Sequence, residues 1–283
     1  MRLHSDRFPE RAVFDTAVSH AMLRRVAAGA LPESLRLYRP DNVMLFSSLD
    51  ARRSGFALAV ERSREAGFAC AIRLAGGHAA AFLEESLAFA WAIRDPDARI
   101  HIRARFEELA EIIVQALRRL DLDARLGEVP GEYCPGEYSV NIAGKVKVMG
   151  VGQRVIRNGA HVGGVITIAQ SQALRARLIP VYEALELDFR PETAGGIQDF
   201  DARLGFDDVL DSLKAELSSR GLRFNESLFD GRTLSAANEL VAMHDISRSS
   251  KGAQTGDETI GGKTLLQADQ RALRDRLTRK ESD

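Results

Sequence analysis

The chain is short of cysteine and of long apolar runs. Its 283 residues include only two cysteines, Cys70 and Cys134, which excludes a disulfide-rich scaffold and a cysteine-based zinc cluster. No stretch of about 18 uncharged apolar residues occurs, and the most apolar segment, residues 76–93, is interrupted by a histidine and two glutamates. The first residues lack the apolar core of a secretory signal peptide. We therefore expect a cytoplasmic protein whose thiols stay reduced.

The chain also lacks an excess of either charge, because 39 lysines and arginines stand against 40 aspartates and glutamates. Such a balance is not typical of a protein that binds nucleic acid or a membrane surface through its overall charge. The six histidines are scattered and form no HxxxH pair with a nearby glutamate, so no metal site is predicted. The phosphate-binding loop, the dinucleotide-binding glycine motif and the GxSxG nucleophile motif are also missing.

Apolar residues recur with helical spacing in several segments, most clearly at 104–120, where charged residues occupy the opposite face. The predicted helices cover residues 12–28, 54–66, 104–120, 172–185 and 206–219. The predicted strands cover residues 35–38, 43–46, 68–74, 79–82, 87–93, 138–142, 145–149 and 162–168. Because many strands are joined by short turns, the pattern favours an α+β fold with a mostly antiparallel sheet flanked by helices, rather than a regular βαβ array.

The C-terminal residues differ in composition from the rest of the chain. Residues 247–262 are rich in serine, glycine, threonine and lysine, a composition typical of a flexible linker. Residues 265–277 have the pattern of a charged terminal helix. We therefore predict a compact domain over residues 1–245 and a polar, flexible tail over residues 246–283.

The first segment with chemical potential is Arg73-Leu-Ala-Gly-Gly-His78. Two adjacent glycines allow the backbone to approach a ligand closely, and successive N–H groups in such a turn can bind an anion. Arg73 can add a charge-assisted hydrogen bond. The simpler interpretation is a turn between two strands, with His78 at its rim.

The second segment contains Cys134, which is followed by Pro135 and Gly136. A cysteine in a turn can be reactive when it is partly exposed and close to a positive charge. The alternative is a small, half-buried apolar side chain, which is the usual environment of cysteine. Cys70 lies in an apolar predicted strand, and we assign it the structural role.

The third segment contains two lysines, Lys145 and Lys147, which share a face if the segment is a strand. One hypothesis directs a lysine into a cavity, with Gly150 and Gly152 leaving room for a ligand. The other hypothesis is a solvated edge strand that lysines protect from aggregation.

Together these segments resemble the biotin/lipoyl protein ligase superfamily, in its lipoate–protein ligase and octanoyltransferase branch. The resemblance covers roughly residues 12–220. Residues 73–77 with 87–91 are similar to the family's Arg-x-x-Gly-Gly block and the strand after it, and residues 147–154 to its Lys-x-x-Gly-x-x-Gln-Arg block. Residues 134–138 are similar to a Cys-Pro-Gly-x-Tyr motif of amidotransferases that take octanoyl or lipoyl groups from the glycine cleavage H protein.

The resemblance implies a catalytic domain of the fold shared with biotin ligases and class II aminoacyl-tRNA synthetases, with a tunnel for an acyl chain. It implies that Cys134 forms a thioester and that Lys147 assists it. The implied substrate-binding residues are Arg73, Gly76, Gly77, His78, Gly150 and Gln153. The acyl acceptors would be lysines of lipoyl domains of 2-oxoacid dehydrogenase acyltransferase subunits, of the glycine cleavage H protein, or of both. The transferase would need no cofactor.

The chain departs from the family pattern at Ala75, where serine is usual, and at His78, where a small or aliphatic residue is commoner. The spacing from Cys134 also leaves Lys145 as a rival to Lys147, which is preferred because Gly150 and the Gln-Arg pair that follows it are in step with it. Three hypotheses remain open. The chain is a cysteine-dependent acyltransferase, a lipoate–protein ligase that uses ATP and magnesium, or a non-catalytic relative that binds an acyl group or a lipoyl domain.

Overall fold

The computed structural model describes residues 1–246, which contain six α-helices and eleven β-strands. The helices are α1 (Ala12–Ala27), α2 (Phe56–Glu65), α3 (Ile102–Arg118), α4 (Ser171–Ala184), α5 (Phe206–Ser219) and α6 (Gly231–His244). The strands are β1 (Arg2–His4), β2 (Ser34–Tyr38), β3 (Val43–Phe46), β4 (Ala69–Ile72), β5 (Ala80–Phe82), β6 (Ser86–Arg94), β7 (Ala124–Leu126), β8 (Val140–Ile142), β9 (Val146–Ile156), β10 (Gly159–Thr167) and β11 (Asn225–Glu226).

The strands form two sheets. Eight strands make the larger sheet in the order β11-β1-β2-β6-β10-β9-β8-β7, and β4-β3-β5 make the smaller one. The larger sheet is antiparallel except where β1 pairs with β11 and with β2. The predicted α+β fold with a mostly antiparallel sheet is therefore confirmed, and its division into two sheets is a new finding.

Helices cover both faces of the larger sheet because its central strands are apolar on both sides. On β6, Leu87, Phe89 and Trp91 pack in the cluster that includes α3 and α5. The alternate residues Ala90 and Ala92 face α1 and α6. The smaller sheet packs with α2 and α4 in a third cluster. The small alanine side chains under α1 leave space on that face of the sheet, which is where the candidate site lies.

Three features of the fold differ from the sequence-based expectation. Strand β9 continues to Ile156 instead of ending at Met149, because all of residues 149–156 pair with β10. Helix α6 was not predicted, although Asp230 caps its N-terminus by accepting a hydrogen bond from the Thr233 N–H. The short strands β1, β7 and β11 were also missed. The predicted tail lies outside the described residues from position 247 onward.

No helix within residues 1–246 combines the length and the apolarity needed to cross a membrane.

Candidate active site

The three segments singled out in the sequence converge on one cavity of about 330 Å³. The cavity is lined by seven of the eight predicted site residues, namely Arg73, Gly76, Gly77, Cys134, Lys147, Gly150 and Gln153. The eighth, His78, does not line it. We call the end at Cys134, Arg73 and Lys147 the mouth, and the buried end at Thr16, Ser19 and His161 the inner end.

The cavity exists because small residues face α1 on three adjacent strands. Gly163 lies opposite Ala90 on β6 and Gly152 on β9. A side chain at Gly152 would begin 2.7 Å from the Cβ of Ala75, so the loop 73–77 rests directly on this strand. The space between the sheet and α1 is therefore left unfilled. Arg154, which pairs with His161, follows Gly150 by four positions on β9. At roughly 3.3 Å per residue, this corresponds to a distance of about 13 Å along the strand.

The backbone of Cys134 is held on both sides. Its N–H donates to the Tyr182 hydroxyl oxygen at 2.7 Å, and that hydroxyl donates to the Ala79 carbonyl at 2.9 Å. Its carbonyl accepts a hydrogen bond from Lys147 Nζ at 2.8 Å. Cys134 has a φ of +42°, a conformation that is strained for a residue with a side chain. The hydrogen bonds with Tyr182 on α4 and Lys147 on β9 hold Cys134 in this conformation and thereby fix the direction of its thiol.

The Cys134 Sγ accepts two hydrogen bonds at the mouth. Arg73 Nη2 lies 3.4 Å from Sγ, and the backbone N–H of His78 donates to it over 3.2 Å. A Cβ at Gly77 would lie 2.8 Å from Sγ and 2.6 Å from Arg73 Nη2, and the φ of Gly77 is +90°. Only glycine fits at this position, because the thiol and the guanidinium occupy the side-chain space.

These contacts change the acidity of the thiol. Burial alone would raise the pKa of Cys134, but the charges of Arg73 and Lys147 and the hydrogen bonds from Arg73 and His78 outweigh it, so the pKa is lowered. The opposite holds for Cys70, whose pKa is raised by burial. Cys134 therefore favours the nucleophilic thiolate more than an ordinary cysteine does, and Cys70 does not.

Lys147 is buried, with 1% of its surface exposed. Its ammonium donates to Glu132 Oε1 at 2.8 Å, to the Tyr133 carbonyl at 3.0 Å and to the Cys134 carbonyl at 2.8 Å. Lys145 is exposed in the turn before β9, away from the cavity lining. Strand β9 is an inner strand between β8 and β10, so the solvated edge-strand hypothesis is wrong for this segment.

Glu132 anchors the loop that carries Cys134. Besides Lys147, its carboxylate accepts hydrogen bonds from the Ser139 hydroxyl at 2.5 Å, the Val129 N–H at 2.9 Å and the Gly136 N–H at 3.2 Å. The side chain is fully enclosed. A buried carboxylate that satisfies so many donors fixes both the loop and the ammonium.

His78 contributes its backbone to the mouth and directs its side chain elsewhere. Its Nδ1 lies 3.0 Å from Oδ1 of Asp50, a carboxylate with no solvent exposure. The other oxygen of Asp50 accepts hydrogen bonds from the N–H and the hydroxyl of Ser47. The role of His78 in substrate binding stays a prediction, and its side chain does not line the cavity.

Three further predicted residues contribute in different ways. The N–H groups of Gly76 and Gly77 have no hydrogen-bond acceptor within residues 1–246, so they are free to bind an oxygen of a ligand. The amide of Gln153 lines the cavity, but it is engaged by Arg105 Nε at 2.8 Å and by the Ile102 carbonyl at 3.2 Å. Gln153 therefore joins β9 to the start of α3.

The inner end is neutral. His161 is buried, and desolvation together with the nearby His20 lowers its pKa to about 4. Its Nδ1 has no hydrogen-bond partner within residues 1–246. The lining of the cavity as a whole is mostly apolar, with Leu45, Phe82, Phe89 and Val165 among its members. Such a surface suits an alkyl chain.

Sequence reasoning did not assign a site role to Asp50, Glu132, His161 or Tyr182. Glu132 lies two residues before Cys134, and a carboxylate so close to a candidate nucleophile is a signal that was available. Asp50 and Tyr182 are far from Cys134 in sequence, and no local pattern marks them. Within residues 1–246, no group of three histidine, cysteine, aspartate or glutamate side chains is placed to hold a metal ion.

Comparison with known proteins supports the family suggested by the motifs. The chain is 26% identical over 202 residues to an octanoyl-[GcvH]:protein N-octanoyltransferase of Geobacillus kaustophilus, covering 71% of this chain and 68% of that one. It is 23% identical over 168 residues to a lipoyl-[GcvH]:protein N-lipoyltransferase of Listeria monocytogenes, covering 59% and 60%. The solved structure of lipoate-protein ligase A bound with ATP has the same fold, with a TM-score of 0.70, 22% identity and coverage of 85% of this chain and 94% of that chain.

The family match itself extends over residues 11–189. This range includes the loop of Arg73, the turn of Cys134 and the strand of Lys147, which together form the mouth of the cavity. The predicted membership is confirmed: the chain belongs to the family described as the lipoyl protein ligase A/B catalytic domain.

Proposed function

We propose that this protein transfers an octanoyl or lipoyl group to the lysine of a lipoyl domain through a thioester on Cys134. The observation that carries the proposal is the Cys134 thiol, which has a lowered pKa and lies at the mouth of a mostly apolar cavity. The names of the relatives support the reaction class, since both describe transfer of an acyl group between proteins.

In the first half-reaction, the Cys134 thiolate attacks the carbonyl of the acyl group on the donor protein. The new C–S bond forms as the bond to the donor's lysine nitrogen breaks, and the departing amine takes up a proton. The free N–H groups of Gly76 and Gly77 stabilise the oxyanion, a role that donors of this kind perform in acyl transfer. Arg73 supplies positive charge beside the reacting atoms.

In the second half-reaction, the lysine amine of the acceptor lipoyl domain attacks the thioester. The C–N bond forms, the C–S bond breaks and the thiolate leaves. Lys147 acts as a fixed cation that stabilises this thiolate and holds the Cys134 carbonyl. A thioester is a reactive acyl donor, so neither step requires ATP or another cofactor.

The proposal is tested by intact-protein mass spectrometry. The protein is incubated with octanoylated glycine cleavage H protein in the absence of ATP. We expect a mass increase of one octanoyl group that hydroxylamine removes and that Cys134→Ala abolishes. Cys70→Ala is the matched control, because Cys70 is buried and has a raised pKa, and it should retain the adduct.

Other results would favour the remaining hypotheses. Modification of an apo lipoyl domain only when free lipoate or octanoate and ATP are supplied would identify a ligase and remove the catalytic role of Cys134. Binding of an apo lipoyl domain without turnover under either condition would identify a non-catalytic relative.

A further inference from the structure

The proposed transfer requires a proton acceptor, because the attacking lysine nitrogen must lose a proton as its bond to the acyl carbon forms. Lys147 is unsuited to this task. An ammonium has three N–H donors and no lone pair, and all three donors of Lys147 are directed to acceptors, on Glu132, Tyr133 and Cys134. The group that takes the proton must therefore be another residue.

Most other titratable side chains around the thiol are also unsuited. The guanidinium of Arg73 has N–H donors and no lone pair that could accept a proton. Glu132 is enclosed and paired with Lys147. The Tyr182 hydroxyl is buried and already hydrogen-bonded to the backbone on both sides. Of the titratable residues hydrogen-bonded to Cys134, this leaves His78, whose side chain is 30% exposed and whose own N–H contacts the Cys134 Sγ.

His78 has the orientation of a general base. The Asp50 carboxylate can only accept hydrogen bonds when ionised, so the ring nitrogen 3.0 Å from it, Nδ1, carries the proton. Nε2 then holds the free lone pair, and the hydrogen bond that the ring forms within residues 1–246 is the one at Nδ1. Asp50 is itself fixed, because Ser47 donates two hydrogen bonds to its other oxygen. An acceptor histidine held in one tautomer by a buried carboxylate is the arrangement used to activate nucleophiles in acyl transfer.

The position of the ring also fits the direction from which the lysine arrives. The His78 side chain does not line the cavity that would hold the acyl chain; it is 30% exposed to solvent, and the N–H of the same residue contacts the thiol. An acceptor lysine on another protein has to reach the thioester from solvent. The charged or titratable groups in contact with His78 are Asp50 on its ring, Arg73 on its carbonyl and Cys134 on its N–H.

We propose that His78, positioned by Asp50, accepts the proton of the lipoyl-domain lysine as that amine attacks the Cys134 thioester. This inference rests on the proposed function. The proton moves from the amine nitrogen to Nε2 as the C–N bond forms and the C–S bond breaks. The departing thiolate is stabilised by hydrogen bonds from Arg73 and from the His78 N–H. The imidazolium then loses this proton to solvent, and the departing donor amine of the first half-reaction takes its proton from solvent, so the protons balance over one cycle.

The two steps can be separated by the choice of acyl donor. Octanoyl-coenzyme A is used as a chemical probe to load Cys134, because its thiolate leaving group needs no proton. The loaded protein is freed of excess probe and mixed with an apo lipoyl domain, and transfer is followed by intact mass. For His78→Ala we expect loading within about threefold of the wild-type rate and transfer slowed by about 10²–10⁴-fold, the usual range for loss of a general base. Imidazole in the buffer should restore part of the transfer.

Two further variants test the details. His78→Gln keeps a donor toward Asp50 without a basic nitrogen, and it should be as slow as His78→Ala. Asp50→Asn leaves the imidazole in place but removes its orienting acceptor, so transfer should fall while added imidazole gives no rescue. The matched control is His101→Ala, since His101 forms a similar pair with Asp95 at 2.9 Å on the surface, and this variant should behave like wild type.

The outcomes separate this inference from the proposed function. Wild-type-like transfer by His78→Ala, or an equal loss of loading and transfer without rescue by imidazole, would overturn the role of His78 and leave the Cys134 thioester intact. Failure of the wild-type protein to take up an octanoyl group on Cys134 from either donor would overturn the proposed function, and the role of His78 with it.

Discussion

The two ends of the cavity differ in the charge that they hold. At the mouth, charged groups lie together, and the buried pair of Glu132 and Lys147 is the clearest example, while the buried Nε of Arg73 has no hydrogen-bond partner within residues 1–246. At the inner end, the buried His161 leaves Nδ1 without a partner within residues 1–246 and has a pKa of about 4, so it remains neutral near pH 7. The mouth therefore holds charged side chains, whereas the His161 side chain at the inner end is uncharged near pH 7.

This difference follows from what each end has to accommodate in the proposed reaction. Charge develops on the thiol and the carbonyl oxygen at the mouth, and fixed donors stabilise such charge without reorganising. An alkyl chain at the inner end gains free energy by leaving water, and charged groups there would have to be desolvated. The contrast predicts that removing a polar group has very different consequences at the two ends.

The largest effect is expected for Glu132→Ala at the mouth. This substitution leaves the Lys147 ammonium buried without its anionic partner, and breaking a buried pair in this way typically costs about 3–5 kcal/mol of unfolding free energy. Urea unfolding at pH 7.5 measures the change. Glu137→Ala is the control, because Glu137 is an exposed carboxylate on the same loop. Equal stability of the two variants would contradict the claim that the mouth depends on this ion pair.

Acidification should act on the inner end through His161. The pKa of His161 falls from 6.5 to about 4 on folding, through burial and the proximity of His20. Because the folded pKa lies below the unfolded one, its neutral form is favoured by folding, and the stabilisation is complete above pH 6.5. The unfolded chain takes up the proton first as the pH falls from 6.5 to 4, and stability drops by on the order of 3 kcal/mol. Unfolding free energies measured at pH 7.5 and 4.5 test this, and a pH-independent value would contradict it.

The smallest effect is expected for His161→Leu near neutral pH. No hydrogen bond to Nδ1 is lost, and replacing an unsatisfied buried polar group by an apolar one of similar size is close to neutral. We expect the unfolding free energy at pH 7.5 to change by less than about 1 kcal/mol. The same variant should lose less stability than wild type between pH 7.5 and 4.5. A large loss at pH 7.5 would mean that His161 has a structural partner of the kind seen at the mouth.

Much of the candidate site could be predicted because its motifs are local. The glycine pair that follows Arg73, the turn of Cys134 and the strand of Lys147 each have a recognisable chemical pattern over a few residues. The helix from Ala12 to Ala27 and the central strands were predictable for a similar reason, since apolar periodicity records which face is buried. Helix α6 could also have been predicted from its capping aspartate and its apolar spacing.

The choice between Lys145 and Lys147 shows where local pattern stops being sufficient. Simple alternation places both lysines on one face of a strand, yet the strand begins at Val146. The pairing of β8 with β9 is irregular between Val140 and Asn141, and such a bulge redirects side chains. Lys147 is thereby buried against Glu132, whereas Lys145 remains in the turn. The register of two strands decides this, and the register depends on residues outside the motif.

The sequence by itself determined the α+β class, the family, and the side chains from which the mouth is built, because these properties are recorded in short-range patterns of apolar, small and reactive residues. The tertiary structure alone decided which of those side chains are charged, which are fixed in position by hydrogen bonds, and which are left without such bonds. Asp50 orients His78, Tyr182 fixes the backbone of Cys134, and Arg73 with Lys147 lowers the pKa of its thiol. The physical reason is that desolvation and charge–charge interaction depend on distance through space, and the fold brings together residues that are separated by tens of positions along the chain.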